Sequence, residues 1–415
     1  MPSAAPTDVV VFGATSFVGR LLCRYLADRH GFVGDGPEGL TWAVAARSRA
    51  KLDRLISELG DGAKALDVLV ADALDEHDVS RLTGSARVVV TTVGPYTLYG
   101  SGLVAACAEA GTDYLDLAGE TPWLRRMIDA HQAPAEASGA RLVPCSGFDA
   151  IPSDMGVRVL QQAAAERFGA PATRVRMAVK AMRGGASGGT LASILNAVDE
   201  VRSDPDARKQ LGNPYALCPE GHRSGVRQPE VMRPQHDAVF DRWLAPFVMS
   251  ALNTRVVHRT NALLDYPYGE DFRYDEAMMT GGGTAGIAGA AGVTLGLAAF
   301  MGAAATPGLN KLLPKVLPDP GEGPSPEARR KGFWDFRFWG ETGAGERLTA
   351  QVTGDRDPGY ASTAKMLGEA TACLALDVPA RDEQIGGGFW TPASLLGDDL
   401  INRLETHAGV TFSVE

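Results

Sequence analysis

The stretch VVVFGATSFVGR, Val9 to Arg20, decides how the chain is read. Val9 to Phe12 is a short apolar run of the kind a buried strand shows. Gly13 begins a tight turn, and Val18, Leu21, Leu22, Tyr25 and Leu26 then recur at helical spacing through Arg29. Strand, turn and helix in that order, with glycines at both ends of the turn, are the parts of a dinucleotide site. The first glycine makes the turn, and the last lets the helix pack closely on the strand. Ser16 stands where the GxxGxxG spelling has its middle glycine; its Cβ narrows the approach to a pyrophosphate, while its hydroxyl is suited to cap the helix or touch phosphate. The pattern predicts cofactor contacts from Gly13, Thr15, Ser16, Phe17, Val18 and Gly19.

The same rhythm continues outward. TWAVAA (41–46), ALDVLVAD (65–72), RVVVTTVG (87–94), DYLDLAG (113–119) and ARLVPCSG (140–147) read as strands, alternating with helical segments such as KLDRLISELG (51–60). Apolar strands alternating with helices predict a parallel sheet covered on both faces. Beyond about residue 170 the pattern changes to half-exposed alternation: RVRMAVKAM (174–182), DFRYDEAM (271–278), WDFRFWGE (334–341) and RLTAQVTGD (347–355). These predict a second domain on an antiparallel or mixed sheet. Residues 205–234 and 318–326, rich in proline and glycine, read as loops, and 360–376 as a helix whose small, apolar face returns to the first domain.

The end of the second strand tells NAD from NADP: an acid there binds the ribose 2′-hydroxyl, an arginine accommodates the 2′-phosphate. Here the strand runs into RSRAK, with Arg47 at the tip, Ser48, Arg49 and Lys51 behind it, and no acid among them. Asp28 and Asp35 fall in a helix end and a glycine-rich loop instead. The reading is NADP(H), held by Arg47, Ser48 and Lys51, with Asp72 at the end of the third strand as an adenine neighbour or an exposed cap. After the fourth strand, Val93, Gly94 and Pro95 fall beside the crevice where a nicotinamide lies. Tyr96 is the first candidate donor of a hydrogen bond or proton there, with Tyr99 second; simple packing of Tyr96 against a rigid Gly-Pro turn stays open.

The bulk numbers exclude other classes. A net charge of -10, with no basic run longer than Arg329-Arg330-Lys331, gives no footprint for nucleic acid. The five cysteines form no CxxC pair and have no zinc-like spacing to the seven histidines, so a reducing cytosol and no metal are expected. Strand-like sequence by Val9 leaves no room for a secretory leader. His222, His236 and His258 lie in polar or loop-like sequence and read as surface residues.

From Ala277 to Asn310 there is no charged residue, yet nine glycines and ten alanines leave few large apolar side chains. Val293, Leu297, Phe300 and Met301 form one stripe at helical spacing, and Gly282/Gly286 and Gly292/Gly296 permit close helix contact. Three readings stay open: a helix lining an acyl-chain site, a core or dimer-interface helix, and a membrane anchor.

GATSFVG, AARSRAKL, VGPYTLYG, DYLDLAGE, SGFDAIPSDMG (146–156), DPGYASTAKML (357–367) and GGGFWTPASLLGDDLINRL (386–404) together resemble the saccharopine-dehydrogenase-like oxidoreductases, and within them the trans-acting enoyl reductases of mycobacterial type. The resemblance implies an α/β fold: an N-terminal Rossmann doubly wound parallel sheet (1–168), an inserted second α/β domain on a mixed or antiparallel sheet (169–355, carrying the apolar segment 277–310), and C-terminal helices returning to the first (356–415). It implies an NADPH-dependent, cytoplasmic enzyme of lipid or polyketide assembly. Its substrate would be an unsaturated acyl thioester borne on a carrier protein or coenzyme A, with peripheral membrane contact open. A homodimer is the default, symmetric dimers being commonest.

Enoyl reduction builds negative charge on the thioester carbonyl oxygen, so hydrogen-bond donors and a proton source are required. Besides the two tyrosines, Ser146 and Asp149 are alternatives, with helix capping as the competing role for Asp149 and Ser153. Two other functions remain open. One is an amino-acid dehydrogenase holding carboxylates with Arg183, Arg223, Arg227 or Arg233; the other is a non-catalytic nucleotide-binding protein at the membrane surface.

Overall fold

The computed structural model describes residues 7–184, 188–306, 308, 323–381 and 384–415. These divide into two compact units. One holds the described residues of Met1–Phe148 and Tyr360–Ala408 together with Gly323; the other holds those of Asp149–Asp319, Pro324–Gly359 and Gly409–Glu415.

In the first unit, β1 (Thr7–Phe12), β2 (Trp42–Ala46), β3 (Val68–Val70), β4 (Ala86–Thr91), β5 (Asp113–Leu115) and β6 (Arg141–Val143) pair in parallel in the order β3-β2-β1-β4-β5-β6. Val9, Val10, Val11 and the whole of β2 are buried, as strands covered on both faces must be. The strand order reverses between β1 and β4, so the carboxyl ends of these two strands flank the crevice where ligands bind in such sheets. A further parallel strand, Gly388–Phe389, adds to the outside of β6.

The C-terminal segment is held by charge and close packing. Gly368, on the helix Thr363–Ala372, faces Tyr25 so closely that a Cβ would lie 2.6 Å from its ring. Glu369, fully buried, accepts from the Tyr25 hydroxyl at 2.6 Å, Arg29 Nε at 3.3 Å and Arg403 at 3.1 Å.

The second unit is built on a mixed sheet. Its strands are β7 (Ala172–Arg183), β8 (Gln235–Asp237), β9 (Arg242–Pro246), β10 (Arg273–Gly281), β11 (Phe333–Thr342) and β12 (Arg347–Gly354), in the order β12-β11-β7-β10-β9-β8. Val410–Val414 completes the edge beside β12. The β7–β10 pair is parallel and the others antiparallel.

The helix Ile151–Phe168, which the sequence rhythm assigns to the first domain, packs in this second unit. A Cβ on Gly156 would lie 2.3 Å from the Phe338 ring, and Gln161 brackets Ala172 with two hydrogen bonds of 2.7 and 2.9 Å. An apolar helix face shows that a sheet is covered, not which sheet. The 205–234 segment, read as loop, opens with the helix Pro205–Gly212, capped by Asp204 and started by its proline. Much of the second expected loop, residues 318–322, lies outside the described residues.

The apolar run forms the helix Gly283–Ala305; positions 307, 309 and 310 lie outside the described residues. It is long and apolar enough to cross a membrane, and it is not a core helix, since little of it is buried. Gly286, Ala290 and Ala304 are buried, and Val293, Leu297 and Phe300 half-buried on the same side, while Ile287, Leu295 and Met301 are exposed.

Beneath the mixed sheet, Glu276 is buried among Tyr274, whose hydroxyl donates to Oε1 at 2.8 Å, and Asn253, whose amide donates to Oε2 at 2.9 Å. Burial pushes its carboxyl from 4.5 up to about 7, against the hydrogen bonds that favour the charge. Below pH 4.5 both folded and unfolded chains are protonated there. Between 4.5 and 7 unfolding releases the proton, so stability falls as pH rises, by about 3 kcal/mol in all. Glu276→Gln is expected to flatten this part of the profile and to raise the unfolding midpoint at pH 8, because Asn253 Oδ1 has no partner among the described residues and is available to the new amide. Thermal unfolding of both proteins at pH 5 and 8 checks this; parallel profiles would refute it.

Candidate nucleotide site

The turn after β1 is shaped by contacts that a side chain at either glycine would destroy. Gly13 has φ +82°, and a Cβ there would lie 2.8 Å from both Thr92 Oγ1 and Val93 Cγ2, at the end of β4. On Gly19 a Cβ would fall 2.2 Å from the Gly13 carbonyl oxygen. The helix Phe17–His30 therefore starts directly against the turn, with its amino end and partial positive charge at the head of β1.

Ser16 is built into this arrangement. Its hydroxyl accepts from Gly19 N–H at 2.9 Å, capping the helix, and lies 2.8 Å from Thr92 Oγ1. Thr92 Oγ1 itself donates to the Gly13 carbonyl at 3.0 Å, so the proton between the two hydroxyls belongs to Ser16. Thr92, absent from the sequence reading, thus ties β4 to the turn. Ser16 is spent on cap and turn. Phe17 is itself held edge-on against Tyr360, ring centroids 4.7 Å apart.

Arg47 follows β2 directly, is exposed, and has no hydrogen-bond or ion-pair partner among the described residues. Ser48 caps the next helix, Arg49–Leu59, and Lys51 is exposed on its first turn. Arg49 is paired with Asp53 at 2.9 Å. Asp72 serves a turn: its carboxylate accepts from Leu74 N–H at 3.1 Å, and its own N–H donates to Asp78 at 2.9 Å. A free cation at the end of β2 and a helix amino terminus at the end of β1 suit the 2′-phosphate and the pyrophosphate of NADP(H), respectively.

At the end of β4 the tyrosines differ. Tyr96 is 4% exposed; its hydroxyl donates to the Thr91 carbonyl at 3.1 Å and accepts from Leu117 N–H at 3.0 Å, and its ring packs on Trp123. Its hydroxyl is thus engaged by main chain on both sides, the arrangement of the packing alternative. Tyr99, half-buried, has no hydroxyl partner among the described residues. Thr97 Oγ1, between them, is buried with no hydrogen-bond partner among the described residues. Val93, Gly94 and Pro95 lead into this short helix, Tyr96–Tyr99, with Gly94 exposed.

The sequence alternatives go elsewhere. Ser146 is fully buried and donates to Val143 O at 2.8 Å. Its neighbour Asp116 is a hub that the sequence reading missed: Oδ1 accepts from Ala118 and Cys145 N–H, each at 2.9 Å, and Oδ2 from the Tyr114 hydroxyl at 2.8 Å. Burial pushes the Asp116 carboxyl up to about 6. Asp149 begins the second unit, and the cap position of the following helix is Ala150, which has no side-chain cap to give. His258 is buried rather than superficial, its imidazole pushed down to about 3 by burial. Among the four arginines suited to an amino-acid substrate, Arg223 is taken by Asp265 and Glu270 at 2.5 and 3.2 Å.

Comparison with known proteins agrees with this geometry. Residues 9–143 match the saccharopine dehydrogenase NADP binding domain. A candidate trans-acting enoyl reductase of Mycobacterium tuberculosis is 41% identical over 97% of this chain and 96% of its own. The trans-acting enoyl reductase of Mycobacterium ulcerans is 37% identical over 96% and 95%. Among solved structures, apo saccharopine dehydrogenase (L-Glu forming) of Saccharomyces cerevisiae superposes with a TM-score of 0.53 at 13% identity, covering 99% of both chains, a likeness of fold. By similarity running nearly end to end, the chain belongs to the trans-acting enoyl reductase family, NADP-dependent oxidoreductases with a saccharopine-dehydrogenase-type NADP-binding domain.

Proposed function

We propose that the protein reduces the carbon–carbon double bond of an α,β-unsaturated acyl thioester, acting in trans on a chain held by a carrier protein during lipid or polyketide assembly. The observation that carries this reading is the end-to-end similarity to trans-acting enoyl reductases. NADPH supplies the hydride when bound. The amino end of Phe17–His30, shaped by Gly13 and Gly19, faces its pyrophosphate, Arg47 and Lys51 its 2′-phosphate, and Asp72 its adenine side. Tyr99, whose hydroxyl is uncommitted, is the donor to the thioester oxygen or α-carbon, and Thr97 a further polar contact. We place the enzyme in the cytosol, with the exposed side of Gly283–Ala305 resting on a membrane surface or on the substrate's acyl chain.

The test follows nicotinamide absorbance with enoyl thioesters and with saccharopine, beside fluorescence titration with NADPH and NADH. Oxidation of NADPH by enoyl thioesters alone is the expected result; turnover of saccharopine instead would replace the reading. Arg47→Ala is expected to weaken NADPH about thirtyfold, the size of a charge-assisted contact, with NADH binding nearly unchanged. Equal losses for both nucleotides would remove Arg47 from the 2′-phosphate.

A further inference from the structure

We infer that the second unit carries a separate binding site for a phosphate-bearing anion, formed by Arg174, Arg227 and Arg273. The three line one open pocket of about 230 Å³ with Gln228 and Pro229. Arg174 and Arg273 are direct partners in the parallel register of β7 and β10, so two like charges sit side by side on neighbouring strands. That juxtaposition is unfavourable without an anion between them. Arg227 joins them from the loop before β8. Its position is fixed by Gln228, which donates to Phe272 O at 2.9 Å and to the Tyr215 hydroxyl at 2.6 Å and accepts from Tyr274 N–H at 3.0 Å.

Three carboxylates on the neighbouring strands are engaged by other arginines. Glu341, level with Arg174 on β11, is bound by Arg347 at 2.8 Å, and Asp275 and Asp237 both hold Arg176. Arg174 lies over the Trp339 ring at 5.9 Å, and Arg227 and Arg273 have no ion-pair partner among the described residues. Three exposed guanidinium groups thus line one pocket on a chain whose net charge is -10. A single carboxylate would cancel one of them. A phosphomonoester brings about two negative charges and three acceptor oxygens, and guanidinium forks match phosphate oxygens in pairs. This favours phosphate over carboxylate as the ligand.

The site is read by calorimetry, independently of turnover. Inorganic diphosphate is titrated into the full-length protein with saturating NADP+ present, and again into Arg47→Ala, so that the nucleotide turn does not contribute. Binding is expected in both, weakened about tenfold by Arg174→Gln or Arg273→Gln, as for one charge-assisted contact partly exposed to solvent, and lost in the double variant. Arg242→Gln removes an exposed charge elsewhere in the same unit and should leave binding intact. Circular dichroism confirms that the variants fold. Absence of diphosphate binding, or equal binding by the double variant and Arg242→Gln, overturns the site. Coenzyme A titrated in parallel identifies the source. Tighter binding than diphosphate, lost in the same double variant, puts the phosphate on a thioester carrier; binding no tighter makes it a free phosphate anion.

Discussion

A Gly19→Ala protein is expected to bind NADPH at least about a hundredfold more weakly than the wild type, the scale of loss when a site is displaced by roughly an ångström. The added methyl would sit 2.2 Å from the Gly13 carbonyl oxygen, 2.9 Å from Ser16 Oγ and 3.0 Å from Ala14 Cα. None of these is the free end of a flexible side chain, so relief requires the helix to retreat from the turn. Retreat breaks the Ser16 cap and moves the helix amino terminus away from the pyrophosphate together. Gly84→Ala is the matched control, since a Cβ there meets nothing within 4 Å. Fluorescence titration of the two variants decides the matter; near-equal affinities would show that the turn tolerates the displacement.

The second large effect is expected at Arg176. Its guanidinium reaches Asp275 through Nε at 3.2 Å and a terminal nitrogen at 3.0 Å, and touches Asp237 with the other; all three residues are buried. Burial opposes the guanidinium charge, but the two carboxylates outweigh it and hold its pKa above the ordinary value. Arg176→Ala leaves two buried carboxylates beside each other without a cation, at a cost of about 4 kcal/mol. The triple variant Arg176→Met, Asp237→Ala, Asp275→Val removes every charge and is expected to be markedly more stable than the single one, because the desolvation cost disappears with the attraction. Urea unfolding of both checks this. A single variant that costs less than the triple would show that the attraction, rather than the orphaned charge, dominates.

Most of the first sheet is legible in the sequence because its strands are apolar on both faces and its helices have one apolar face. VVVF and WAVAA admit few other readings. The glycines of the turn are also legible, since φ and close approach restrict what can stand there. Side-chain commitments are not. Tyr96 and Tyr99 look alike in VGPYTLYG, and only the fold shows that one hydroxyl is bonded to main chain while the other has no partner among the described residues. Asp116 reads as one acid among several in DYLDLAGE, although it organises three donors from two segments. The helix Ile151–Phe168 shows a limit of a different kind: periodicity reports that a face is apolar, whereas the sheet that receives it depends on contacts far along the chain. The arginines at 174 and 273 lie 99 positions apart, and nothing local announces that a register will set them side by side.

The placement of Val410–Val414 on the edge of the second sheet bears on biosynthesis. During translation, the strand beside β12 emerges well after β12 itself, separated from it by the segment 360–408 that belongs to the first unit. Until Val410–Val414 has emerged, the β12 edge lacks this neighbour and is open to pairing with another nascent chain. Removing Val410–Val414 would therefore act on solubility during synthesis rather than on the nucleotide turn.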